Sequence, residues 1–362
     1  MMNGTDANAG IKHPGATLAA MLDLVDMSRK ELSLRVGVSE KHIAAVIDGS
    51  RDVSLPFAKR LECVFGLPAL EWLDMQVRYD EACFERKERA GVHPEEMEIP
   101  LRLLTVIPIL RKYKLLDDPA DDVDAILKLR RFMGVSDLRV IPEITGTAVS
   151  RLRHRGCEDD IDPYVLLAWQ QMCERLTENA LTAPVMDIQK LGDSLPAIKH
   201  LMLYKESELP FLLGKAFAAC GIAFRLVPPF EGAPVRGFVR KFPNGRGMLC
   251  LTARKERQDV FWFALFREIS RIVNGNANFV DFSFKNPAET YVDNFTDEVL
   301  IPAKAYRRLV ENGDFSVDIV RRFAESQIVS THIVLARLLR DGLIKETEEV
   351  KVLLPEYTWE NV

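Results

Sequence analysis

The sequence predicts a mainly α-helical protein with one small β-sheet, an α+β chain. Three observations carry that expectation. Apolar residues recur at helical spacing in runs of about ten residues, punctuated by Gly, Pro, Asp and Ser. Strand-like runs cluster at 222–227, 235–241 and 248–251, with a turn at Pro243-Asn244-Gly245 between the last two. At 362 residues the chain exceeds one typical domain, so two or three are expected.

Composition narrows the function classes. A net charge of −5 and a mean hydropathy of −0.03 suit a soluble chain with real cores. They argue against a generalised polyanion binder, but a small domain can still gather its cations on one face. No apolar run approaches the ~20 residues of a membrane helix, so no membrane is expected. The opening residues 1–15 are small and polar, unlike a secretory signal. Cys63, Cys83, Cys157, Cys173, Cys220 and Cys250 are scattered with no Cys-x-x-Cys pair, which reads as reduced thiols in a cytoplasm. No cofactor is expected.

The first elements are short. His13-Pro14-Gly15 precedes an amphipathic helix over 16–25, with Leu18, Met21, Leu22 and Val25 on one face. Ser28-x-x-Glu31 reads as a capping box opening a second helix, Arg29–Val36, and Gly37 as its left-handed stop. Ser39 caps a third helix over 40–48, ended by Gly49. Leu32, Val36, Val38, Ile43 and Val46 supply the apolar seam between these two helices, the pattern of a helix-turn-helix. Ser54 with Pro56 starts a fourth helix that closes near Gly66, and Pro68 opens a fifth carrying Trp72, Leu73 and Tyr79. The charged run 85–89 after it reads equally as a dimer or linker element or as a solvated helix end.

Residues 13–90 resemble the HigA-type antitoxin branch of the XRE/Cro repressor family, a five-helix, lambda-repressor-like fold. The resemblance rests on Gly37-Val38-Ser39-Glu40-Lys41-His42-Ile43, Asp48-Gly49-Ser50-Arg51 and Ala58-x-Arg60-Leu61-Glu62. It continues through Phe65-Gly66-Leu67-Pro68 and Glu71-Trp72-Leu73. Ser33 departs from the small apolar residue usual there, a change a helix tolerates because the hydroxyl can bond back to a helix carbonyl. The resemblance implies that the third helix enters the major groove with Glu40, Lys41 and Ala45 toward the bases and His42 in the same interface. Lys41 suits guanine O6/N7, Glu40 suits the cytosine amino group, and Ala45 a thymine methyl. Ser28, Arg29, Ser39 and Arg51 suit phosphates. A plain solvated helix start explains Glu40 and Lys41 as well. Such repressors bind palindromes as dimers, so a homodimer on double-stranded operator DNA is expected.

Residues 91–200 carry amphipathic segments at 101–113, 123–132, 163–176 and 195–204, and read as a helical spacer. A basic cluster, Arg151-Leu152-Arg153-His154-Arg155, is either a solvated surface or a contact to DNA or a partner. No chemistry attaches to this stretch.

Downstream, Arg267-Glu268-Ile269-Ser270-Arg271 has the spacing of a zinc-peptidase helix. In such a helix two His at i and i+4 hold the metal, and the Glu after the first is the general base. Arg stands at both His positions here, and a guanidinium has no lone pair for a metal. Residues 201–345 resemble the ImmA/IrrE zinc-peptidase domain. The likeness lies in a helix over 210–220, the small sheet, the Phe261-Trp262-Phe263 run before the motif, and Asn294-Phe295-Thr296-x-x-Val299-Leu300-Ile301-Pro302 after it. The third ligand implied by the resemblance falls on Tyr291, with Glu289 on roughly the opposite side of a helix. The expectation is a zincin-like pseudo-peptidase with no metal ligands and no catalytic residue. Glu268 then pairs with Arg267 or Arg271, or the groove, now cationic, takes an acidic partner, a nucleotide or a phosphate.

Residues 317–342 also read as a helix-turn-helix, either a second DNA reader or the closing helices of the peptidase-like domain. The tail, 346–362, offers an edge strand over 350–354 and aromatic anchors at Tyr357 and Trp359, docking on its own domain or on a partner. The function implied by the HigA-like resemblance is a repressor that is also the antitoxin for a cognate toxin. The alternatives are a ligand-sensing regulator with no toxin, or a metallopeptidase cleaving a repressor, which needs the missing His.

Overall fold

The computed structural model describes residues 11–146, 161–178, 184–275, 278–281 and 290–359, with backbone alone at 278–281, 290 and 291. These residues form two units, 11–97 with 119–127, and 98–118 with 128 onward. The chain is mainly helical with a small mixed sheet.

In the first unit the N-terminal residues form five helices: α1 (Pro14–Leu24), α2 (Arg29–Val36), α3 (Glu40–Ile47), α4 (Leu55–Phe65) and α5 (Ala69–Ala90). Local chemistry sets most of their ends. Ser28 and Ser39 accept the first free amides of α2 and α3, and Gly37 and Gly66 take the left-handed stops of α2 and α4. The capping box at Ser28 is half formed, because Glu31 pairs with Arg35 instead. The charged run 85–89 is not a separate segment but the last turns of α5. Leu18, Leu32, Ile43, Val46, Leu61 and Trp72 are fully buried in the core. Gly15 admits α3 at close range, since a Cβ there would lie 1.8 Å from the Val46 carbonyl oxygen. Gln76 of α5 closes the other end, accepting from the Val53 amide at 2.9 Å and donating to Asp80 at 2.9 Å.

The second unit opens with short helices α6 (Ile99–Arg102) and α7 (Ile107–Lys112), where the sequence predicts one helix over 101–113. Pro108 explains the break, since proline suits a first helical turn and interrupts a continuing one. After α8 (Asp122–Met133) come α9 (Pro163–Glu178), α10 (Ile188–His200) and α11 (Leu209–Ala218). The basic cluster 151–155 lies outside the described residues.

The sheet has the order β1-β3-β2-β5, from β1 (Ile222–Val227), β2 (Gly237–Lys241), β3 (Gly247–Thr252) and β5 (Asn278–Asp281). β1 and β3 run parallel; β2 is antiparallel to both its neighbours. Every residue of β3 is buried, as a central strand covered on both faces requires. α9 lies on one face: Trp169 meets Phe238, and the Thr177 hydroxyl lies 3.0 Å from Met248 Sδ. Leu249 and Leu251, one residue along, point the other way into a core shared with α10, α11 and α12 (Gln258–Val273). Helices that the sequence reads as spacer therefore build this unit's core.

The remaining helices are α13 (Thr290–Leu300), α14 (Ala303–Asn312), α15 (Val317–Gln327), α16 (Thr331–Arg340) and α17 (Glu348–Val352). α16 buries every residue from His332 to Leu338, so it is a core helix and cannot present a reading face to a groove. The expected strand over 350–354 is instead helical to Val352, begun by Thr347, whose hydroxyl accepts the Val350 amide. Only Glu356–Tyr357 forms a strand, β6, pairing with β4 (Glu256–Arg257). The tail docks on its own unit: Tyr357 accepts from Trp262 Nε1 at 3.0 Å, and Trp359 packs on Phe261 and Tyr357. Among the described residues no helix is long and apolar enough to cross a membrane.

Candidate nucleic-acid interface and the buried ion pair of α12

The turn between α2 and α3 presents the start of α3. Glu40 and Lys41 are exposed there, and Ala45, one turn later, is half-buried. The cap oxygens of Ser28 and Ser39 accept from the amides of Glu31 at 3.1 Å and His42 at 3.2 Å. Both hydroxyls keep their proton for another acceptor, so capping and phosphate contact are compatible. Arg29 and Arg51 are exposed. Ser50 hydrogen bonds hold the Asp48 carboxyl below its usual range, and the Arg29 charge adds to the effect.

His42, the other residue expected in the DNA interface, is half-buried. Its ring packs on Phe57 at 4.8 Å, and Nδ1 accepts from Arg51 Nη1 at 2.8 Å. Burial lowers its pKa, with Arg51 and then Arg60 adding to the shift, so the neutral ring is favoured. The side chain therefore positions Arg51. Arg60 is the residue that the sequence reading missed. Its Nη1 donates to the carbonyls of Val36 at 2.9 Å and Gly37 at 3.1 Å, satisfying the end of α2 and bracing the turn. An Arg in the Ala58-x-Arg60-Leu61 pattern was the available signal.

In the second unit α12 carries the altered motif. Glu268 and Arg271 are fully buried with Arg271 Nη1 2.6 Å from Glu268 Oε1. β2 comes so close that a Cβ at Gly237 would lie 2.7 Å from that Glu268 oxygen. Arg267 takes another direction, with Nη1 3.1 Å from Asp293 of α13. Tyr291 falls in the first turn of α13, and its side chain lies outside the described residues; so does Glu289. These residues do not fit a zinc ion, because one Arg fills the space beside the would-be base and neither Arg can ligate. Among the described residues no group of three or more His, Cys, Asp or Glu is placed to hold a metal.

No family model matches this chain, and no curated protein does. Among the solved structures similar to part of it are two antidote proteins. One is an addiction module antidote protein of a HigA family from Coxiella burnetii, 29% identical, matching 23% of this chain and 97% of its own, with a TM-score of 0.21. The other, from Nostoc punctiforme, is assigned as an antidote protein of a plasmid maintenance system. It is 32% identical over 22% of this chain and 89% of its own, also with a TM-score of 0.21. Both likenesses concern less than a quarter of the chain.

His332, at the start of α16, is a titratable group the sequence did not single out. Burial pushes its pKa down from 6.5 to about 4; the Arg257 charge lowers it further and Asp259 opposes both. The unfolded chain therefore takes up this proton first. The neutral ring's contribution is fully present above pH 6.5 and is lost as pH falls from there toward 4, a change of roughly 3 kcal/mol. Urea unfolding at neutral pH and at about pH 4.5 checks this. The acid loss shrinks in His332→Gln, and equal losses in both proteins would rule the effect out.

Proposed function

We propose that this chain is a DNA-binding repressor that also serves as the antitoxin of a toxin–antitoxin pair. In this reading α3 enters the major groove, a homodimer reads a palindromic operator, and the C-terminal part holds the cognate toxin. The observation that carries the DNA-binding part is the exposed start of α3. Glu40 and Lys41 stand on a short helix whose pose is held by the Ser39 cap, the Arg60 brace and the Val46–Gly15 approach. Arg29 and Arg51 flank it as phosphate contacts. The antitoxin role and the toxin partner come from the sequence resemblance of 13–90. The second unit acts as a binding body without hydrolysis, a reading supported by the Glu268–Arg271 ion pair at the position of the would-be base.

Fluorescence anisotropy with duplexes tiling the DNA upstream of this gene tests the reading. One duplex is bound in preference, more weakly at higher salt, and Lys41→Ala weakens it by about 1–3 kcal/mol, about five- to 150-fold. Equal, weak binding to every duplex would sink the sequence-specific reading. Co-expression tests the antitoxin part: the adjacent gene is toxic alone and harmless beside this one.

A further inference from the structure

On its inner side α5 behaves as a surface helix should: Ala69, Trp72 and Gln76 are buried against the rest of the first unit. The outer side of such a helix is expected to be polar. Instead Leu70, Val77 and Phe84 stand there, 74%, 53% and 63% exposed. Single exposed apolar residues are ordinary, but three large ones at intervals of seven lie along one stripe of the helix. Asp74, Glu81 and Glu88 alternate with them. The six follow one another in steps of four, three, four, three and four residues, the spacing of a coiled-coil seam. Asp74 and Glu81 are exposed, and Asp74 meets Arg78 at 2.9 Å in a pair open to solvent. Such an exposed pair contributes little and does not tie the carboxylate down.

The charges decide what can cover this face. In a parallel pair of copies each seam carboxylate meets its own counterpart. In an antiparallel pair it meets the apolar row of the other copy. The first arrangement sets like charges together, and the second buries a carboxylate without a partner. Nucleic acid and anionic headgroups carry the same sign as the carboxylates and are repelled. A helix with leucine-like side chains opposite the apolar row and lysine or arginine opposite the carboxylates meets both demands.

We infer that this face of α5 docks a basic amphipathic helix of a partner protein. Its apolar residues lie on Leu70, Val77 and Phe84, and its cations on Asp74, Glu81 and Glu88. The inference rests on α5 alone and stands independently of the DNA-binding and antitoxin readings.

Fluorescence anisotropy of the full chain with two labelled synthetic peptides tests it. Each peptide is a helix of roughly three heptads with leucine at one seam position; the other is lysine in the first peptide and glutamate in the second. The lysine peptide binds saturably, more weakly at higher salt, and the glutamate peptide binds about tenfold more weakly or not at all. Phe84→Ser weakens the lysine peptide by about tenfold, and Glu81→Lys weakens it while strengthening the glutamate peptide. Should Phe84→Ser not fold, Glu81→Lys alone decides. No saturable binding, equal binding of the two peptides, or unchanged affinity in folded variants overturns the proposal. So does a self-associated chain that Phe84→Ser takes apart, or sedimentation with phosphatidylcholine vesicles that Phe84→Ser abolishes, since a second copy or a lipid surface is then the occupant.

Discussion

Arg271→Ala lowers the stability of the second unit by about 3–5 kcal/mol, and its unfolding midpoint by on the order of 10 °C. The guanidinium and the Glu268 carboxylate are both 0% exposed, and their 2.6 Å contact lies under β2. Deleting the cation takes a close charge partner from a carboxylate in a place shielded from water, which makes its ionised form costlier. Glu268→Ala acts with the same sign by taking a partner from the buried guanidinium. Replacing both at once, Glu268→Leu with Arg271→Met, is expected to be near neutral, because well-packed apolar groups need no desolvation. Calorimetry on the four proteins checks this. An Arg271→Ala protein as stable as the wild type would show that the pair is not a structural element, and the reading of α12 as part of a binding body would lose its support.

Gly15→Ala loosens or unfolds the first unit. Helix propensity alone gives the opposite sign, since Ala is better than Gly in a helix by about 1 kcal/mol. The added methyl would sit 1.8 Å from the Val46 oxygen, a backbone atom with no rotamer by which to retreat. Either α1 or α3 must shift, and overpacking of this kind costs about 1–3 kcal/mol or more. A unit of this size has little stability in reserve. A shift of α3 also displaces Lys41 and Glu40, so on the proposed DNA-binding reading affinity for the operator falls with stability. Thermal melting followed by circular dichroism gives the sign directly, and a higher midpoint in Gly15→Ala would refute the close approach.

The helices of the first unit were legible because their ends are local. Ser28, Ser39, Gly37 and Gly66 act within three residues of where they stand, and the structure keeps each of those boundaries. The strands at 222–227 and 248–251 were legible from their apolar runs and the turn at Gly245. β5 was not, since Asn278-Phe279-Val280-Asp281 is too short for periodicity to mark. The helical stretch of the tail was misread as a strand because Val350, Val352, Leu353 and Leu354 look β-forming, while the Thr347 cap acts first.

At the candidate sites the division is finer. Sequence alone determined that a helix-turn-helix starts near residue 28, that Glu40 and Lys41 open its second helix, and that Arg stands where a zinc peptidase has both ligands. The first two concern residue type and short spacing, which the chain carries on its face; the likeness of the Arg-Glu-x-x-Arg spacing to a zinc-peptidase helix is an expectation from resemblance alone. Tertiary structure decided that Glu268 pairs with Arg271 and that Arg267 turns to Asp293. It also decided that His42 supports Arg51 and that Arg60 braces the turn. Each of these is a choice among partners equally near in sequence or far from it. The choice is made by which face of a helix a sheet or another helix covers, because burial removes the water that would otherwise serve every charge alike.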